Sequence, residues 1–66
     1  MKSQELKERI AILLDSEVTA YSIEMDTGVS RALISRYRNG ENSIENMTIG
    51  VAKKLEKYGL KNGLYN

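Results

Sequence analysis

Apolar residues recur along this chain every three or four positions, the period of helices that each bury one face. Leu6, Ile10, Leu13 and Leu14 follow the i, i+4, i+7, i+8 rule and predict a first helix, with Ser3 as its N-cap and Glu5 well placed in its first turn. Asp15-Ser16-Glu17 breaks that stripe. Val18, Thr19 and Ile23 then take the N′, N-cap and N4 positions of a second helix, the spacing of a hydrophobic staple. Val29, Ser30 and Ile34 repeat the device and open a third helix. Between the two, Gly28 supplies the left-handed residue that ends the second helix. Asn39-Gly40 ends the third in the same way, and Asn39-Gly40-Glu41-Asn42-Ser43 reads as a loop. Ser43-Ile44-Glu45-Asn46 has the length of one turn. Thr48 caps a final helix to about Tyr58, with Ile49, Val51, Ala52 and Leu55 on its inner face and Gly59 as its stop. Lys61-Asn62-Gly63 is irregular, and Leu64-Tyr65 either folds back or pairs with a partner.

The pattern predicts an all-α protein. At 66 residues, with no proline and no low-complexity tract, it is expected to be a single domain over 1–66. A chain of this size buries only about 60% of its unfolded surface, so its core is small. It has no cysteine and no histidine, which excludes both a disulfide brace and a Cys/His zinc site. No apolar run approaches the roughly 18 residues of a membrane span, and the N-terminus is too charged for a signal peptide, so a cytoplasmic protein without membrane contact is expected. The same absences argue against an enzyme. The commonest general base and the strongest nucleophile are missing, and no glycine-rich phosphate loop is present. No catalytic residue, metal, cofactor or small-molecule substrate is expected.

Charge is distributed unevenly beneath a net of only +1. Residues 1–26 carry three basic against six acidic side chains, and residues 27–66 carry seven against three. A basic C-terminal two-thirds points mildly to a polyanion partner. The third helix sharpens that indication. On a helical wheel Ile34 and Tyr37 face inward with the Ser30 cap, while Ala32, Ser35, Arg36 and Asn39 lie opposite, and Arg31 projects from the N-terminal end. Two short helices joined by a tight glycine turn, the second basic on its outer face, form the layout of a helix-turn-helix over about 19–39. In that layout Arg31 and Arg36 are candidates for guanine edges, Ala32 for a thymine methyl and Ser35 for a base or phosphate. Leu33 either closes the core edge or offers thymine an apolar contact. Thr19, Tyr21, Arg38, Asn39, Gly40 and Ser43 are candidates for phosphate contact. Each residue has a plainer reading, as a solvated charge, a helix cap, a helix stop or, for Tyr21, core edge. Lys53, Lys54 and Lys57 most simply form the solvated face of the last helix.

Ile23, Thr27-Gly28-Val29-Ser30, Ile34-Ser35-Arg36, Tyr37, Asn39-Gly40, Ala52 and Leu55 together resemble the phage-repressor family of helix-turn-helix domains, the Cro-like or XRE type. The likeness runs over about residues 19–58. The stretch from Ser43 to Ile49, followed by Ala52-Lys53-Lys54-Leu55, looks like small regulators of low-GC Gram-positive bacteria, their phages and mobile elements. The resemblance implies a compact bundle of four or five helices, like the lambda-repressor DNA-binding domain, on double-stranded operator DNA and often as a two-fold homodimer. It places base reading at Arg31, Ala32, Ser35 and Arg36, and phosphate contact at Thr19, Asn39 and Gly40. The main departure is Glu24, where the family favours a small residue because two helices cross closely. A glutamate there leans out toward Arg31 or loosens the crossing. The final helix is also expected to be about one turn shorter than in many relatives.

Two functions from different classes follow. One is a sequence-specific DNA-binding regulator of repressor type. The other is a protein-interaction module on the same fold, antirepressor- or antitoxin-like, which the near-neutral charge and acidic first helix favour modestly. Leu60, Leu64 and Tyr65 either form a two-fold contact or cap the core.

Overall fold

A computed structural model describes residues 4–65 and is all-helical: α1 Gln4–Asp15, α2 Ala20–Thr27, α3 Arg31–Arg38, a single 3-10 turn Ile44–Asn46, and α4 Ile49–Lys61. Ser3, expected to cap α1, lies outside the described residues.

The caps form where short polar side chains precede the helices. Thr19 Oγ1 accepts the Ser22 N–H at 3.1 Å, Ser30 Oγ the Ala32 N–H at 3.2 Å, and Thr48 Oγ1 the Val51 N–H at 3.3 Å. Ser43 does the same for the 3-10 turn through the Glu45 N–H. Each satisfies a first-turn donor that has no partner within its own helix. Gly28 ends α2 at φ +80°, its N–H bonded to the Glu24 carbonyl at 2.8 Å. Gly40, at φ +81°, follows Asn39 at the end of α3.

One core joins all four helices. Ile10, Leu13 and Leu14 enter from α1, Ile23 from α2, Ile34 from α3, and Ala52, Leu55 and Tyr58 from α4; Val29 and Met47 fill in from the connections. The staple residues earn their burial together, since Val29 and Ile34 are both in the core and Val18 packs against it beside Ile23. Leu33 also packs at the core edge, which decides between its two readings.

Two tertiary features differ from the pattern reading. First, α4 does not stop at Tyr58 but runs three residues further, through a buried Gly59. Gly59 is a seat and not a terminator. Leu64 returns to the core, and the Tyr65 ring covers Gly59 so closely that a Cβ there would lie 2.6 Å from two ring carbons. The Tyr65 hydroxyl donates to the Glu56 carbonyl at 2.6 Å, and Arg9 lies 5.7 Å from the ring centroid. Leu64 and Tyr65 therefore cap the core, while Leu60 stays half exposed. Second, Ile49, the first residue of α4, is exposed and takes no part in the inner face. In addition, α1 has no basic residue in its last turn, and its C-terminal carbonyls find a donor on another helix, as described below.

Cross-links of charge tie the acidic first half to the rest. Lys7 bonds Glu45 at 2.6 Å, and Arg9 bridges Glu5 and Glu56, each at 2.8 Å. The hydrogen bond from Lys7 holds the Glu45 carboxyl below its ordinary range.

Candidate functional site

The Gly28 turn determines where the outer face of α3 points. With Gly28 in the left-handed region, the chain reverses within Gly28, Val29 and Ser30 before α3 begins. Thr27 locks this turn: its hydroxyl donates to the Ile23 carbonyl at 2.7 Å and accepts the Val29 N–H at 3.1 Å. The sequence reading used Thr27 only as part of a resemblance. Its β-hydroxyl directly before the glycine is the signal that marks this second function.

Burial of Ile34 fixes the rotation of α3. Ile34 is fully buried, Leu33 and Tyr37 are half-buried against the core, and Arg31, Ala32, Ser35 and Arg36 are exposed. The four residues chosen as base readers thus share the solvent side of one helix. Arg36 has no side-chain hydrogen bond or ion pair among the described residues, whereas its carbonyl accepts the Glu41 and Asn42 N–H groups that close the helix.

Arg31 is differently held. Its Nε forms an ion pair with Glu24 Oε1 at 3.0 Å, and its own backbone N–H donates to Glu24 Oε2 at 3.3 Å. Its guanidinium carbon lies 5.0 Å from the centroid of the Tyr21 ring. Glu24 therefore leans out toward Arg31. Tyr21, itself 54% exposed, provides the aromatic face on which the cation rests.

The flank residues divide. Thr19, Asn39, Gly40 and Ser43 are exposed, with Thr19 at the start of α2 and the others in the connection that follows α3. Arg38 is turned inward. Its Nε donates to the Leu14 carbonyl at 2.9 Å, and its Nη2 donates to the carbonyls of Val18 at 2.6 Å and Leu13 at 3.4 Å. It thus supplies the C-terminal carbonyls of α1 with the cation that the helix's own last turn lacks. Arg38, a candidate for phosphate contact, thus has its Nε and Nη2 directed at α1 and the α1–α2 connection.

Away from this face, a shallow cleft of about 280 Å³ is lined by Asp26, Thr27, Lys54, Lys57, Tyr58 and Lys61, with Lys61 paired to Asp26 at 3.1 Å. Among the described residues no acidic side chains gather as metal ligands would, and no helix is long and apolar enough to cross a membrane.

No protein-family model matches the chain, and no curated protein is significantly similar to it.

Proposed function

We propose that the protein is a sequence-specific DNA-binding transcriptional regulator of phage-repressor, Cro-like type, which acts in the cytoplasm and lays the outer face of α3 into the major groove. The observation that carries this reading is the division of α3 into two sides. Ile34 is buried while Arg31, Ala32, Ser35 and Arg36 are all exposed beside a three-residue turn. A helix so rotated offers guanidinium donors for guanine O6 and N7, and an alanine small enough to meet a thymine methyl. Thr19 at the N-terminus of α2, with Asn39, Gly40 and Ser43 after α3, supports phosphate contact on either side of the reading helix. Arg38 is not needed for that contact. Two copies on a two-fold operator would read half-sites about 34 Å apart.

Selection of bound duplexes from random DNA at two salt concentrations tests the reading. The expected outcome is one enriched motif, with log K falling against log salt by about 0.9 per phosphate neutralised. Arg36→Ala should lose roughly 1–3 kcal/mol on the enriched site and relax preference at one base pair. A flat salt response without enrichment, together with recovery of a single protein partner, supports the interaction-module reading instead. Neither the acidic α1 nor the exposed Met25 on α2 outweighs the two-sided α3 in its favour.

A further inference from the structure

We propose that Glu24 is a positioning residue which, with Tyr21, presets Arg31 to read a guanine through its two terminal nitrogens, and so gives the N-terminal end of α3 its base specificity. The inference rests on the reading of α3 as the helix that enters the major groove.

One carboxylate holds Arg31 at two points. Oε1 pairs by charge with the side chain, 3.0 Å from Nε, and Oε2 accepts the backbone N–H of the same residue, the first of α3. The Tyr21 ring lies against the guanidinium at 5.0 Å, which restricts its remaining freedom to swing. A guanidinium carries five donors in a rigid fork. The Glu24 carboxylate lies at the Nε edge, so both terminal nitrogens keep their N–H groups, and neither has a partner among the described residues. That end is the pair of donors which matches O6 and N7 of guanine. A free arginine on a helix end would have to be ordered at the moment of binding; here the protein has ordered it beforehand.

Charge gives the second half of the argument. Glu24 sets an anion directly beside Arg31. A phosphate approaching the same guanidinium meets that anion, whereas a guanine edge brings neutral acceptors. The pair therefore turns Arg31 away from non-specific backbone contact and toward base contact, which is how repulsion against the wrong ligand produces specificity. A purely stabilising role explains the arrangement poorly. The Arg31 side chain is 61% exposed, and exposed pairs contribute little to folding.

The test measures, for the wild type, Glu24→Ala, Glu24→Gln, Arg31→Ala, Tyr21→Leu and the Glu24→Ala/Arg31→Ala double variant, binding to the selected duplex, to the same duplex altered one base pair at a time, and to unrelated duplex. Thermal melts accompany each variant. Arg31→Ala identifies the base pair that Arg31 reads, by losing on the order of tenfold in discrimination there. Glu24→Ala should lose about threefold or more at that same pair, bind unrelated duplex more tightly, and add nothing further in the double variant. Tyr21→Leu should lose discrimination at that pair without the gain on unrelated duplex, and it carries the test should Glu24→Ala fail to fold. Glu24→Gln, which keeps an acceptor but not the charge, should keep most of the discrimination while gaining on unrelated duplex. The inference is overturned if Glu24→Ala leaves or sharpens discrimination at the Arg31 pair, or if its effect spreads evenly over all pairs, while the wild type still selects a motif. A wild type that selects no motif and shows no salt-dependent duplex binding overturns this inference and the DNA-binding reading together.

Discussion

Arg36 and Arg38 lie two positions apart on α3 and do opposite work. Arg36 points its fork into solvent, while Arg38 closes three carbonyls at the far end of α1 and at Val18. Composition cannot separate them, since both are arginines in the last turn of the same helix. What separates them is the position of α1 behind α3, and that is a tertiary fact. The difference is measurable. Arg38→Ala should lower unfolding free energy by about 1–3 kcal/mol, because it takes the donor from the Leu14 and Val18 carbonyls, while Leu13 keeps the Ser16 N–H and hydroxyl. Where the protein remains folded, it should leave the salt slope of DNA binding unchanged. Arg36→Ala should instead shift stability by less than about 0.5 kcal/mol and relax preference at one base pair. Denaturant titration and binding at several salt concentrations check both. If Arg38→Ala reduced the salt slope by about one unit with stability intact, its inward role would be refuted.

At the scale of elements, the turn and the last helix show how one residue type can have two meanings. Gly28 is required by conformation: at φ +80° a Cβ would meet no neighbouring atom, yet the left-handed backbone itself disfavours a side chain. Gly28→Ala should therefore destabilise by roughly 1–2 kcal/mol through strain alone. Gly59 is required by space, since its helical backbone is ordinary and the Tyr65 ring occupies the place of a side chain. Gly59→Ala should displace Tyr65 from α4 while the bundle stays folded, because the tail can move aside more easily than the helix. Loss of the contact between the Tyr65 ring and Arg9 in an NMR spectrum, with helical circular dichroism retained, is the expected result. Glycine directly after a helical stripe reads as a stop, which is why Gly59 was expected to end α4. Only the returning tail reveals the other reason for a glycine there.

For the whole molecule, a single small core leaves little reserve, on the order of 3–5 kcal/mol for a domain of this size. Ile34 links α3 to that core with no exposed surface at all. Ile34→Ala should cost about 2–5 kcal/mol, enough to unfold much of the population at 37 °C, and DNA binding should be lost with the fold. The tail adds a pH-dependent contribution. Burial raises the Tyr65 phenol above its ordinary value of 10.0, with the neighbouring Glu56 charge adding to the rise and Arg9 opposing it. Folding thus favours the neutral phenol. The contribution is fully present below about pH 10 and declines as pH rises through the elevated folded value. Ionisation also removes the proton that Tyr65 donates to Glu56. Release of the tail should precede global unfolding on alkaline titration, followed by tyrosine absorbance, and should be absent in Tyr65→Phe.

Much of this protein was already determined by local rules. The stripe of α1, the two staples, the Thr19, Ser30 and Thr48 caps and the Gly28 and Gly40 turns act within a few residues, so a linear pattern contains them in full. From the same rules came the exposed and buried sides of α3, because a helix with one apolar face has one way to sit on a core. The tertiary structure alone decided which polar groups meet across the bundle: Arg38 with the end of α1, Tyr65 with Gly59 and Glu56, and the hold of Glu24 and Tyr21 on Arg31. Those partners lie from six to 25 residues apart, and a long polar side chain can reach any of several neighbours. Its choice depends on distances that exist only after the helices have packed.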